Sequence, residues 1–129
     1  MKNTLSTLLI IAFLIPLTAC SQDNQMTKEL VGTWKLDMSP QDNTDDNFAM
    51  MKIDKIDGSS FTGTFYREGV ELTNGQLNTQ RGIVYGALVS GDNSGTYNTT
   101  FYLKDGKLYG STHALDRNFL AVWIATKED

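Results

Sequence analysis

The chain has 129 residues, with 15 acidic and 11 basic side chains, and this length predicts a single domain. Such a domain can bury a modest core without metal or disulfide cross-links. The acidic balance, with no local cluster of Lys and Arg in the sequence, argues against nucleic-acid binding. Cys20 is the single cysteine and His113 the single histidine. We therefore expect no intrachain disulfide, no cysteine metal site, no cofactor and none of the common metal-dependent hydrolytic chemistries.

The N-terminal segment has the pattern of a secretion signal. A short positive start at Lys2 is followed by an apolar stretch from Leu8 to Leu17. About ten apolar residues interrupted by Pro16 are too few to span a bilayer, which needs roughly 20. An ordinary signal peptide that happens to end near a cysteine would show the same stretch.

The segment Leu17-Thr18-Ala19-Cys20 resembles the lipobox of bacterial lipoproteins. That resemblance implies cleavage before Cys20, a diacylglycerol on its sulfur and acylation of the new N-terminus, so that the membrane is a partner. Two or three acyl chains hold a protein on a membrane stably, whereas one chain binds only marginally. Ser21, where inner-membrane lipoproteins of enterobacteria often have aspartate, resembles outer-membrane sorting. Whether the protein faces the periplasm or the cell surface is left open.

The first strand signal runs from about Leu30 to Met38, where alternation places Gly32, Trp34 and Leu36 on one face. A ring as large as Trp34 needs a core to cover it. The missing Cβ of Gly32 lets a neighbouring group approach closely. The preceding residues, Met26 to Leu30, predict a brief helical turn.

A long acidic loop follows, from Ser39 to Asn47. Its oxygen donors (Asp42, Asn43, Asp45, Asp46 and Asn47) are of the kind that hard cations such as Ca²⁺ prefer. The spacing matches no known calcium loop, and a glycine for a sharp turn is missing. A solvated loop without metal is the favoured interpretation.

Alternating apolar residues and Asp-Gly turns predict seven further strands. Six of them lie at Phe48–Ile56, Ser60–Tyr66, Gly82–Ser90, Thr96–Lys104, Lys107–Leu115 and Phe119–Lys127. The seventh begins at Val70–Leu72, is interrupted at Thr73–Gly75 and continues, across a bulge, over Gln76–Asn78. Eight short strands at regular spacing favour a sandwich or a barrel. Sequential hairpins favour an all-β, antiparallel, up-and-down barrel, because closure removes unpaired edges.

The Gly32-x-Trp34 motif resembles the lipocalin and calycin signature. In that family the Trp closes one barrel end and a basic residue of the last strand packs over it. The resemblance implies a latch of Gly32, Trp34 and Lys127, with Arg117 as the alternative cation. A cation over an exposed indole face contributes about 0.5–1 kcal/mol.

Two further segments, Asp57-Gly58-x-x-Phe61-Thr62-Gly63-Thr64 and Asp105-Gly106-Lys107-Leu108-Tyr109-Gly110-Ser111-Thr112, are similar to small bacterial calycin-like domains. Such domains occur alone as lipoproteins or attached to envelope enzymes, mostly without an assigned function. Avidin shares the early Gly-Thr-Trp and a late Trp, but its biotin contacts cannot be placed on this chain. The expected division is a signal peptide at 1–19, a lipidated N-terminus and polar tether at 20–28, and a barrel at 29–129.

Aromatic and methionine side chains are expected to fill the barrel: Trp34, Met38, Met51, Phe61, Phe65, Tyr85, Phe101 and Trp123. Eight strands enclose a space that is either filled or holds one small ligand, and a chain this short favours filling. If a pocket exists, we expect its mouth under the acidic loop, near Met38, Met51 (or Met50), Phe65 and Tyr85. Methionine adapts to irregular apolar ligands, which favours a lipid or another apolar molecule.

Two functions remain open at this point. The first is a non-enzymatic envelope lipoprotein that binds a small apolar ligand. The alternative is a filled barrel that contacts an envelope protein through outward tyrosines, with Tyr66, Tyr102 and Tyr109 as candidates. His113 is expected on the outside without a catalytic role, and no nucleophile–base pair or phosphate loop is evident in the sequence. An interior cavity of about 300 Å³ or more would favour the ligand.

Overall fold

The computed structural model describes residues 25–39 and 48–128. Cys20 and the signal segment precede the first range, and Asp42, Asp45 and Asp46 lie between the two. The predictions of lipidation and of a solvated acidic loop therefore concern residues outside the described part of the chain.

The described residues form eight strands joined by short turns. They are β1 (Gly32–Ser39), β2 (Phe48–Asp57), β3 (Ser60–Tyr66), β4 (Thr73–Asn78), β5 (Tyr85–Asp92), β6 (Gly95–Lys104), β7 (Lys107–Ala114) and β8 (Phe119–Glu128), with a 3₁₀ turn (Leu115–Arg117) before β8. A helical turn over residues 25–28 precedes β1, close to the predicted one.

The strands close into a barrel in sequence order. β1 pairs antiparallel with both β2 and β8, so that Trp34 lies opposite Met51 on one side and Lys127 on the other. The predicted fold class, an all-β, eight-stranded, antiparallel up-and-down barrel, is confirmed.

Strict alternation of side chains explains which residues enter the core. On β8 the burial pattern is inward at Phe119, Ala121, Trp123 and Ala125, with the intervening residues exposed. Two of the large inward rings have glycine as the residue directly opposite on the neighbouring strand. A Cβ at Gly110 would collide with the Trp123 ring, and one at another glycine, Gly86, would collide with a Phe ring of β6. The sequence thus places small residues against large ones across neighbouring strands.

The β3–β4 junction differs from the prediction. Thr73–Gly75 belong to β4 instead of separating two strand segments, but the predicted irregularity is present there as a register shift between Thr73 and Gln76, with Asn74 at φ 53°. Upstream, Glu71 makes only an isolated bridge to Thr64. The backbone of Gly75 lies so close to Phe61 that a Cβ at Gly75 would collide with the Phe61 carbonyl oxygen. Glycine at this position therefore allows β4 to pair with β3 at Phe61.

Candidate ligand site at the barrel mouth

One end of the barrel is closed by a latch around Trp34. The Trp34 side chain is fully buried, and its Nε1 donates a hydrogen bond of 2.9 Å to the Leu30 carbonyl oxygen. The Lys127 ammonium lies 5.6 Å from the Trp34 ring centroid and donates a hydrogen bond of 2.6 Å to the Glu29 carbonyl oxygen. Gly32 has φ 137°, and a Cβ there would lie 2.7 Å from Lys127 Cε. The structure therefore brings Gly32, Trp34 and Lys127 together, and we call this end the latch end.

The half of the interior next to the latch is packed with apolar side chains. Trp34, Leu36, Met51, Ile53 and Leu108 are at most 1% exposed. Phe61 and Phe101 meet edge to face with ring centroids 6.1 Å apart, a favourable aromatic geometry. These side chains belong to one continuous cluster of buried residues.

The opposite end, the mouth, contains a cavity of about 330 Å³. Its apolar wall consists of side chains from β1, β2, β3 and β8: Met38, Phe48, Ala49, Phe65 and Phe119. β1 ends and β2 begins at this mouth, so the chain segment that carries the acidic residues joins the barrel here. The recess adjoins a second, smaller cluster of buried side chains, against which Met38 and Tyr66 pack: Tyr97, Ala114, Phe119 and Ala121.

The polar side of the mouth is organised around Asp92. Its carboxylate accepts hydrogen bonds from the Ser94 amide (2.7 Å) and hydroxyl (2.6 Å), from the Tyr66 hydroxyl (2.7 Å) and from the Tyr97 hydroxyl (3.1 Å). The Ser94 hydroxyl bond, with the others, holds the pKa of the Asp92 carboxyl well below its usual range. Burial, followed by the bond to Asp92, raises the pKa of Tyr66 to about 12. Asp92 is thus an anion that fixes two phenol groups at the rim.

Two guanidinium groups also line the mouth, each over an aromatic ring. The Arg67 guanidinium lies 5.3 Å from the Tyr66 ring centroid, and that of Arg117 lies 5.1 Å from the Phe119 ring centroid. Arg117 takes part in further interactions as well. The lining therefore carries two cations against the single carboxylate of Asp92.

Hydroxyl groups lie between the mouth and the packed half. Thr112, which lines the cavity, shares a hydrogen bond of 2.9 Å with Thr99 and accepts one of 3.1 Å from Trp123 Nε1. The hydroxyl of Ser90 is buried and has no hydrogen-bond partner among the described residues. Ser90 lies opposite Tyr97 in the β5–β6 ladder, so this buried hydroxyl, which has no partner among the described residues, lies next to the mouth.

The predicted pocket residues separate into three places. Met38 and Phe65 line the mouth cavity, whereas Met51 lies below it in the packed core. The placement of Tyr85 in this set is wrong: Tyr85 is 45% exposed on the outer surface, because β5 begins there and turns Gly86 inward. Tyr66, expected on the outside, instead lines the mouth through its bond to Asp92.

Sequence reasoning missed the polar half of this site. In the sequence, Asp92 and Ser94 lie in the turn between the predicted strands Gly82–Ser90 and Thr96–Lys104, and Tyr97 lies on the inward face of the second of these strands. Neither position indicates a binding role. The Asp-x-Ser spacing is a local signal for the Asp92–Ser94 hydrogen bonds. Nothing in the sequence places Tyr66, which is 26 residues away, on the same carboxylate.

A second concave surface lies on the outside of the barrel. This outer groove, of about 970 Å³, crosses β4 to β8 and is lined by Tyr85, Tyr102 and Tyr109 together with Val122 and Ile124. The Tyr102 and Tyr109 rings stack 5.4 Å apart. Tyr102 and Tyr109 thus lie outside, as predicted, and form an exposed aromatic face.

The described part of the chain contains no group of three or more His, Cys, Asp or Glu side chains that could hold a metal ion. His113 is exposed on the outer face of β7. None of the helices in residues 25–39 and 48–128 has the length and apolar character needed to cross a membrane.

No protein-family model matches the chain, and no curated protein is similar enough in sequence to count as a relative. Among solved structures, the chain is similar to the crystal structure of a mutant of the fluorescent protein UnaG, with a TM-score of 0.43 and 19% sequence identity over 81% of this chain and 99% of that chain. A likeness of this size carries no argument about function. By its own strand pairing, the molecule is a closed, eight-stranded antiparallel barrel with a latch at one end and a recess at the other.

Proposed function

We propose that this protein binds a small, largely apolar molecule in the mouth cavity. The observation that carries the proposal is the unequal filling of the interior. Trp34, Met51 and Leu108 are fully buried next to the latch, and a volume of about 330 Å³ stays open at the mouth. Ligand pockets in proteins span roughly 300–1,000 Å³, so this volume suits a small ligand.

The lining indicates what such a ligand looks like. Its apolar part would rest against Met38, Ala49, Phe65 and Phe119, since these side chains form the recess. A polar group would remain at the rim, where phenol and guanidinium groups offer hydrogen bonds. The cavity has the volume of about eleven liquid water molecules, which excludes a fully enclosed long acyl chain.

We further propose that the barrel is a non-enzymatic envelope lipoprotein anchored through Cys20. The support is the lipobox-like Leu17-Thr18-Ala19-Cys20 at the end of a signal-like segment. Ser21 favours the outer membrane in a Gram-negative cell. Native mass spectrometry of the protein extracted from its own membranes reads both features at once. The expected masses show acyl chains on Cys20 and a bound small molecule, and an unmodified thiol would contradict the anchor.

Titration with a fluorescent apolar probe, 8-anilinonaphthalene-1-sulfonate, tests the cavity in the purified barrel. We expect saturable binding that Ala49→Leu weakens at least about tenfold, because the larger side chain enters the recess and displaces the probe. Ala87→Leu is the matched control, since Ala87 lines the outer groove instead. Binding that responds to Ala87→Leu and not to Ala49→Leu would place the probe outside the barrel and contradict the proposal.

A second candidate function is supported by the outer groove. Exposed Tyr85, Tyr102, Val122 and Ile124 form one aromatic and aliphatic face, and tyrosine is enriched in protein interfaces. On this reading the barrel contacts an envelope protein through that face. A photo-crosslinker at Tyr102 should then trap one defined partner in intact cells, while the same crosslinker at His113 should not. Recovery of abundant bulk proteins alone would count against it.

A further inference from the structure

The outer groove is built from two rows of side chains that cross the strands side by side. The first row, which we call the tyrosine row, consists of directly opposed residues of β5 to β8: Tyr85, Tyr102, Tyr109 and Ile124. The second row lies two residues closer to the mouth on each strand and consists of Ala87, Thr100, Ser111 and Val122. The floor between the rows includes two glycines, Gly86 and Gly110. The groove thus has one aromatic wall and one wall of small side chains.

The rings of the tyrosine row follow one another closely. The ring centroids of Tyr85 and Tyr102 are 6.0 Å apart. Those of Tyr102 and Tyr109 are 5.4 Å apart, with the two rings only 14° from parallel. The hydroxyls of these three tyrosines have no hydrogen-bond partner among the described residues. An elongated molecule in the groove therefore meets a continuous aromatic surface and free hydroxyl groups along it.

The polar side chains of the groove are almost all uncharged. They are amides, hydroxyls and one carboxylate, from Gln76, Asn78, Thr100, Ser111 and Asp37. Asp37, at the β1 end, is the only charged side chain among the described residues that line the groove. Lys104 and Lys107 lie beyond the tyrosine row, where they face each other across the β6–β7 hairpin and are not part of the lining. The groove therefore presents neutral hydrogen-bonding groups to whatever occupies it.

This lining does not suit a nucleic acid or a peptide. Single-stranded nucleic acids stack on aromatic side chains but need a positively charged groove for their phosphates. Peptide strands pair with the edge of a sheet, whereas this groove crosses the face of a closed one. A polyproline II helix repeats about every 9 Å, and rings 5.4–6.0 Å apart leave no slots at that spacing. The apolar face of an amphipathic helix would leave the amides and hydroxyls unpaired.

A neutral sugar chain has the matching chemistry. Each sugar ring carries C–H groups on its faces, which pack against aromatic rings, and hydroxyls around its edge. Those hydroxyls both donate and accept hydrogen bonds, as amide and hydroxyl side chains do. Six strands spaced about 4.8 Å apart, from β4 to β1, give the groove a length of roughly 24 Å along the barrel surface. That length accommodates several sugar rings in line.

We propose that the outer groove binds a neutral oligosaccharide or polysaccharide, with consecutive sugar rings lying against the tyrosine row. The groove then has a different occupant from the envelope protein considered above. None of the residues that line it also lines the mouth cavity, so both sites can be occupied at once. Sugar binding depends neither on the mouth ligand nor on the anchor at Cys20.

Isothermal titration calorimetry of the purified protein tests this with two neutral and two anionic probes. The neutral ones are cellohexaose and hexa-N-acetylchitohexaose, and the anionic ones are hexagalacturonate and oligodeoxythymidine. We expect saturable binding of at least one neutral hexamer and weaker binding of both anionic probes. Tyr102→Ala should weaken the binding of that hexamer at least about tenfold, because it removes the middle ring of the tyrosine row. Tyr102→Phe keeps the ring and should weaken it less.

Two variants outside the groove provide the matched controls. His113→Ala removes an exposed ring from the same face of the barrel, and Ala49→Leu fills the mouth cavity. Both should leave binding of the hexamer unchanged, and the urea midpoint of each variant shows that it is folded. Probe binding in the mouth is measured separately, so that failure of the sugar site can be told apart from failure of the cavity.

Several results would overturn the proposal. They are no saturable binding of either neutral hexamer at millimolar concentration, tighter binding of an anionic probe, and an equal loss with His113→Ala and Tyr102→Ala. Loss of hexamer binding with Ala49→Leu would place the sugar in the mouth instead. A defined protein crosslinked at Tyr102 in cells, with neither hexamer bound in solution, would show that the groove is a protein interface.

Discussion

Truncation of Trp34 to alanine probes the latch most directly. The side chain is fully buried, and removing a buried Trp costs about 3–5 kcal/mol of unfolding free energy. Part of that cost is the loss of the 2.9 Å bond to the Leu30 carbonyl oxygen, because an unpaired buried acceptor costs about 1–3 kcal/mol. The cation of Lys127 adds about 0.5–1 kcal/mol through the ring face.

Urea denaturation followed by circular dichroism measures the loss. With a slope of about 1.5 kcal/mol per molar urea, Trp34→Ala should lower the midpoint by roughly 2–3 M. Trp34→Phe keeps a ring but removes the N–H, and should cost about 1–3 kcal/mol. A double-mutant cycle with Lys127→Ala should give a coupling of about 0.5–1 kcal/mol.

His113→Ala is the control, since this exposed residue should change stability by no more than about 0.5 kcal/mol. A Trp34→Ala protein that unfolds at the wild-type urea concentration would refute the latch. Zero coupling between Trp34 and Lys127 would show that their contact does not contribute, whatever the cost of the truncation.

Three further predictions concern the mouth and the packing of the rings. The carboxyl of Asp92 has a lowered pKa in the folded state, so its stabilisation is complete above about pH 5 and is lost as the pH falls toward that lower value. The urea midpoint of the wild type should therefore approach that of Asp92→Asn as the pH falls from about 5 to about 2. The pKa of Tyr66 is raised to about 12, so its contribution to folding stability is present below about pH 10 and is lost as the pH rises through 12. Ultraviolet titration should show one tyrosine that ionises at higher pH than the others, and Tyr66→Phe should remove that transition. Gly110→Ala should cost about 1–3 kcal/mol in urea denaturation, because its Cβ would collide with the Trp123 ring, and an unchanged midpoint would contradict the packing described.

Most of the fold could be predicted because the relevant signals are local. Alternation along β8 separates Trp123 and Ala125 from the exposed residues between them, and the Asp105-Gly106 pair marks a tight hairpin. β4 was harder, since its register shift depends on how closely Gly75 can approach Phe61 across the neighbouring strand. Because this contact depends on residues of two strands, the sequence of either strand alone does not predict it.

The candidate site could be predicted only in part. Met38 and Phe65 were expected at the mouth because they end inward-facing runs near the long loop. Tyr85 was misplaced, since the almost uninterrupted apolar run from Gly82 to Val89 has no alternation that separates the inward face from the outward one. The convergence of Tyr66, Asp92 and Tyr97 involves three strands and has no signature in any one of them.

The latch residues were implied by the resemblance of Gly32-x-Trp34 to the calycin signature. By itself, the sequence determined the number of strands, their order and the inward face of most of them. These properties follow from side-chain periodicity and turn chemistry, which act over a few residues. Tertiary structure alone decided that a recess stays open at the mouth, and that the hydroxyls of Tyr66 and Tyr97 meet the carboxylate of Asp92. A recess and a cluster of polar groups are formed by residues distant in the chain, and only closure of the barrel brings those residues together.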